Sequence, residues 1–125
     1  MIVIIEKSDI SKDKHGFFIK GPKVDISNYK FVTLENFYIE TDDITKKFSL
    51  IDICSFLIDK TPGNPNQIIG SHLLERGTRY IWCNFSSSSQ KYKIQCKSFE
   101  ESLFKIRFTF TPEKIVKIRL CLKFE

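Results

Sequence analysis

The chain has 125 residues, of which 42% are hydrophobic and 28% charged, and a formal net charge of +5. That length holds one domain with a single core and excludes two ordinary ones, and the composition excludes a disordered chain. The mildly basic balance permits an acidic partner without demanding one.

Ile2 to Ile5 form a short apolar run that predicts a strand. The apolar part of MIVIIEKSD is shorter than a signal peptide, which needs ~7–15 apolar residues after a basic start. No run approaches the ~18 apolar residues of a membrane-spanning helix. KSDISKDKHG, residues 7–16, reads as a charged loop. Phe17–Lys20 predicts a second short strand, closed by Gly21 and Pro22. In NYKFVTLENFYIE, residues 28–40, the apolar alternation changes phase near Glu35 and Asn36, which predicts a β-bulge or a bend.

TDDITKKFSLIDICSFLID, residues 41–59, carries two competing patterns. Ile44, Phe48 and Ile51 fall at helical spacing behind Asp42 and Asp43 as caps. The segment is nevertheless rich in β-branched and aromatic residues. It predicts a strand from about Phe48 to Ile58, after at most one helical turn. KTPGNPNQ, residues 60–67, is the clearest exposed connection. Ile68 and Ile69 suit a short strand. HLLERG, residues 72–77, suits one helical turn ending at Gly77.

Tyr80 and Trp82 then share one parity, and Ile81, Cys83 and Phe85 the other, which predicts a strand buried on both faces or placed at a crossing. Ser86 to Ser89 follow. Neither flank can bury a core alone, so the serines with Gln90 read as a hairpin tip or short loop rather than a linker. Tyr92, Ile94 and Cys96 alternate with Lys91, Lys93, Gln95 and Lys97. Phe104, Ile106, Phe108 and Phe110 oppose Lys105, Arg107 and Thr109. Val116, Ile118, Leu120, Leu122 and Phe124 oppose Lys117, Arg119, Cys121 and Lys123. This period-two alternation is the strongest pattern in the chain.

The absence of Ala, the single Met and the twelve Phe agree with a strand-dominated chain. The predicted fold is all-β: one antiparallel β-sandwich domain over residues 1–125, jelly-roll-like, with about eight or nine strands and at most one or two short helical turns. An immunoglobulin-like sandwich is the next choice, although the Cys–Trp–Cys spacing of antibody domains is missing.

Lys91, Lys93, Lys97, Lys105, Arg107, Lys117, Arg119 and Lys123 share the outward parity of the last three predicted strands. If those strands are neighbours, they form one electrostatic platform for phosphates or an acidic protein. The plainer reading is a solvated face whose lysines discourage edge-to-edge pairing. Aromatic residues fall on the inward parity, so any nucleic-acid contact there would be to the backbone only. Tyr80 and Trp82 give a ligand-stacking surface if they face outward, and otherwise belong to the core or an interface.

Catalytic patterns are weak. Cys54, Cys83, Cys96 and Cys121 include no CxxC pair and sit in apolar runs, which predicts free buried thiols in a reducing compartment and no metal site. His72 has Ser71 beside it and meets Glu75 only if the segment is helical. His15 lies in the charged loop. There is no nucleophile elbow, no phosphate loop, and no Ca²⁺-loop spacing around Asp42–Asp43 or Glu100–Glu101. The expectation is a non-enzymatic protein without cofactors.

The function expected from these features is structural: a small sandwich subunit of a larger particle, such as a virus capsid-like component, packing against copies of itself or other subunits. The alternatives are a single-stranded nucleic-acid-binding β-barrel module and a carbohydrate- or ligand-binding sandwich. The expected location is intracellular or virion-associated.

Overall fold

The computed structural model describes residues 1–14, 16–21, 23–56, 67–85, 94–95 and 103–125. Among these residues there are strands and turns and no helix. Nine strands follow in chain order: β1 (Ile2–Ser11), β2 (Phe17–Lys20), β3 (Phe31–Thr41), β4 (Ser49–Phe56), β5 (Gln67–Leu74), β6 (Tyr80–Asn84), β7 (Ile94–Gln95), β8 (Leu103–Phe108) and β9 (Lys114–Phe124).

Their pairing has a simple logic. β1 pairs β9, β2 pairs β8, β3 pairs β6 and β4 pairs β5, all antiparallel, like the rungs of one long hairpin. Two further pairings, β9 with β3 and β8 with β4, roll that hairpin into two sheets. One sheet has the order β1-β9-β3-β6, with β7 added on β3, and the other has the order β2-β8-β4-β5. The two sheets pack face to face as a β-sandwich around one apolar cluster.

The first sheet supplies Ile5, Leu34, Phe37, Ile39, Ile118, Leu120 and Phe124 to that cluster, and the second supplies Phe17, Ile19, Ile51, Ile53, Phe104 and Ile106. Alternation explains most of this division, because successive side chains on a strand point to opposite faces. Three register shifts interrupt it. Glu35 is an extra residue in β3 between Leu34 and Asn36, so Leu34 and Phe37 both stay inside. The bulge expected near Glu35 and Asn36 is therefore present. Val116 is an extra residue in β9, so Ile115 turns inward in its place and Val116, expected inside, is half-buried. Ile69 is an extra residue in β5, opposite the Ile53–Cys54 step of β4.

Several elements differ from the sequence reading. β1 does not stop at Ile5 but runs through the charged stretch to Ser11, because β9 offers backbone partners as far as Lys114. Its polar side chains are tolerated because β1 is an edge strand. HLLERG is not a helical turn: His72 to Leu74 belong to β5, held by β4, and Gly77 sits at φ 85° in the tight turn that leads toward β6. No helical turn precedes β4 among the described residues. Among the described residues, the two strands flanking the serines do not pair with each other as a hairpin. Both lie along the same edge of β3, β6 on Asn36–Glu40 and β7 on Phe31–Val32. The serines themselves and the residue 60–66 connection lie outside the described residues.

The sheets approach closely at Gly70. A Cβ there would lie 2.6 Å from Leu34 Cδ2 and 3.2 Å from Phe85 Cε2. Leu34 is buried and has little room to yield. Gly70→Ala is therefore expected to overpack the core and to cost about 1–3 kcal/mol of stability. Chemical denaturation of the two proteins measures this; an unchanged midpoint would place the sheets farther apart than they are described here.

Candidate functional site

The eight cations singled out in the sequence do not form one face. Lys105 and Arg107 lie on β8, while Lys117, Arg119 and Lys123 lie on β9. Those strands belong to different sheets, so their outward side chains leave the sandwich on opposite sides. Alternation gives the face of a strand but not the sheet it joins, and the rolled hairpin sends β8 and β9 to different layers. Lys91, Lys93 and Lys97 lie outside the described residues.

Acidic groups are also interleaved with the cations rather than kept apart. On β9, Arg119 Nε lies 3.3 Å from Glu6 Oε1, and Lys123 Nζ lies 3.1 Å from Glu125 Oε1. Lys117 has Glu40 as its cross-strand partner on β3. On β8, Arg107 Nη2 donates to Asp52 Oδ2 at 3.2 Å, and Ser71 Oγ donates to Asp52 Oδ1 at 2.7 Å. Lys105 Nζ stands 5.4 Å from the centre of the Phe18 ring. Exposed ion pairs of this kind contribute little stability, but they neutralise Arg107, Arg119 and Lys123 in part.

What the two outer faces offer instead is apolar. On the second sheet, Leu50 of β4 and Leu73 of β5 stand directly opposite each other, 44% and 41% exposed. Ile68 is exposed on β5, and Phe48 is exposed just before β4. At the same end, a cleft of about 400 Å³ has a mixed lining: Ile44, Leu74, Phe108, Phe110 and Pro112 on its apolar side, and Asp42, Asp43, Lys46, Lys47 and Glu113 with three threonines on its polar side. Exposed apolar residues that gather in this way mark contact surfaces more often than single ones do.

On the first sheet, Tyr80 and Trp82 face outward, 61% and 52% exposed. They are not core residues. Only Cys83 of their strand is buried, so β6 covers the core with one face and meets solvent with the other. Tyr38 of β3 joins them, because it is the cross-strand partner of Trp82. Its ring stacks on Tyr80 with centroids 6.4 Å apart and 28° between planes. The sequence reading missed Tyr38. The bulge at Glu35 sets its outward parity, so the signal lay in the phase change already visible there.

Among the described residues, the remaining chemistry-bearing side chains do not converge. His72 is exposed on β5, its Nδ1 3.0 Å from the Leu73 carbonyl oxygen, and the extended backbone separates it from any helical meeting with Glu75. Cys54, Cys83 and Cys121 are free and buried. Burial pushes the thiols of Cys54 and Cys83 up, with Arg107 and Lys105 partly opposing the rise at Cys54. Among the described residues there is no group of three His, Cys, Asp or Glu placed to hold a metal ion, and no helix long and apolar enough to cross a membrane. No protein-family model matches the chain, and no curated protein matches it.

Tyr38 has a titration that reports its surroundings. Partial burial raises its phenol first, and the adjacent Glu40, which accepts its hydrogen bond at 3.2 Å, raises it further. In the unfolded chain the phenol loses its proton near ~10. The stability Tyr38 contributes is thus complete below that pH and is lost as pH rises through the higher folded value. Phenolate absorbance is expected to show a late-titrating tyrosine that vanishes in Tyr38→Phe and moves earlier in Glu40→Gln. A titration unchanged by either substitution would contradict the Tyr38–Glu40 contact.

Proposed function

We propose that this protein is a non-enzymatic structural subunit that assembles with copies of itself or with other subunits into a larger particle. The observation that supports this reading most is the apolar surface of the β2-β8-β4-β5 sheet. Leu50 and Leu73 sit side by side on it, next to a cleft of mixed apolar and charged lining, with the hydrogen-bonded Arg107–Asp52–Ser71 group beside them. A largely apolar patch with a satisfied polar group at its side is the anatomy of a protein contact. The strand order adds to the case. We read the strand order, in which β9 and β8 insert beside β3 and β4, as jelly-roll-like, an arrangement found among viral capsid subunits. That resemblance is one of architecture and carries no function alone. The buried, unpaired thiols favour a reducing compartment.

The nucleic-acid reading loses its basis with the basic platform, since the cations separate onto two faces and most of those described have acidic or aromatic neighbours.

Sedimentation and native mass measurement test the assembly. Oligomers, or retained partner subunits, are expected at high protein concentration. Replacing Leu50 and Leu73 together by Lys is expected to raise the dissociation constant at least about tenfold. Both side chains are exposed, so the circular dichroism should remain that of the parent. A strict monomer with nothing retained, or an assembly indifferent to the double substitution, would overturn the proposal.

A further inference from the structure

We infer that Tyr38, Tyr80 and Trp82 form a binding site for a neutral oligosaccharide. This site is on the first sheet and is independent of the contact surface proposed above.

The argument begins with geometry. Tyr80 and Trp82 are alternate residues of β6, so their side chains leave the sheet about 6.6 Å apart along the strand. Tyr38 stands across from Trp82 on β3 and stacks on Tyr80. Two of the rings are thus in contact and the third leaves the sheet beside them, so the three form one cluster instead of three scattered exposures. Such a platform is costly to leave in water, and its rings are held in place by a rigid sheet rather than by a loop. A pyranose ring has one face made of C–H groups. These carry slight positive charge and fit against the negative face of an aromatic ring. Two platform rings at a two-residue spacing can each meet one sugar of a linked pair.

The rim selects the class of ligand. Glu40 lies beside the rings and accepts the Tyr38 hydroxyl at 3.2 Å through one oxygen, leaving further acceptor positions on its carboxylate. Asn36 and Arg119 follow on the adjacent row, with Arg119 Nη1 donating to Asn36 Oδ1 at 3.4 Å. Planar amide, carboxylate and guanidinium groups suit the paired hydroxyls of a sugar. Glu6 engages Arg119, Glu40 stands across from Lys117, and Arg79 acts on Tyr38, so two anions are mixed with three cations around the rings. A nucleobase would stack equally well on the rings, but its phosphates would meet Glu6 and Glu40 together with the cations, which leaves little net attraction for them. An uncharged polyhydroxyl ligand is the class that fits both halves of the site.

Trp82 is the only tryptophan in the chain, so intrinsic tryptophan emission reports this site alone. The intact protein is titrated with β-linked oligosaccharides of glucose, of galactose and of N-acetylglucosamine, and in parallel with a thymidine oligonucleotide. At least one sugar is expected to produce a saturable change in emission that high salt does not alter. Tyr80→Ala is expected to weaken that binding at least about tenfold. Calorimetry is expected to show the same loss for Trp82→Ala, whereas Leu50→Lys, on the opposite face, should bind as the parent does. Circular dichroism confirms that the variants remain folded. No saturable change with any of the sugars at ~10 mM overturns the inference, since a working site of this kind binds at millimolar strength or better. A saturable, salt-sensitive response to the oligonucleotide alone overturns it in favour of a nucleic-acid site.

Discussion

The fold depends on where its last strand goes. β9 lies between β1 and β3, so the end of the chain is a central strand of the first sheet. Its buried side chains, Ile115, Ile118, Leu120, Leu122 and Phe124, are each at most 2% exposed. The two ends of the chain are joined in the same step. The Met1 amino group donates to the Phe124 carbonyl at 2.9 Å, and the Phe124 amide donates back to Met1 at 2.8 Å. Until β9 arrives, β1 has no neighbour in its own sheet and β3 lacks one side. Loop-closure entropy must therefore be overcome before most of the apolar surface is buried, which is the condition for slow folding.

That dependence also explains which parts of the structure were readable in advance. Alternation from Phe104 to Phe108 and from Ile118 to Phe124 identified inward residues well, because one face of each strand packs on the core while the other carries mostly polar side chains, the buried Cys121 excepted. The phase change at Glu35 likewise announced a real bulge. Partnership was not readable. β8 and β9 have the same pattern, and nothing local says that one joins β2 and β4 while the other joins β1 and β3. The single basic face failed for this reason. β5 was misread for a related one: HLLERG has no strong β preference of its own, and β4 imposes the extended form. The outward turn of Trp82 was equally hidden, since an apolar residue on a strand ordinarily points to the core.

The bulges connect this architecture to the surfaces. Each inserts a residue, changes the phase of a strand and reassigns the side chains beyond it. Without Glu35 as an extra residue, Tyr38 would turn inward and Phe37 outward. The aromatic platform would lose a ring and the core would lose one of its fully buried phenylalanines. Glu35 itself is buried and accepts a hydrogen bond from Thr33 Oγ1 at 3.2 Å, so the bulge has a polar partner in a place where an unpaired carboxylate would be costly. Core and platform are thus set by the same irregularity.

A two-layer sandwich separates its outer faces by the thickness of the core. Sheets pack ~10 Å apart, and their outward side chains point away from each other. Leu50 and Leu73 are on one outer face, and Tyr38, Tyr80 and Trp82 are on the other. A subunit held by the first face presents the second outward, with no conformational change needed. Contacts on one face leave the rings of the other unobstructed by that contact. The proposed assembly and the proposed sugar binding would therefore not compete, because each would use the outer face of a different sheet.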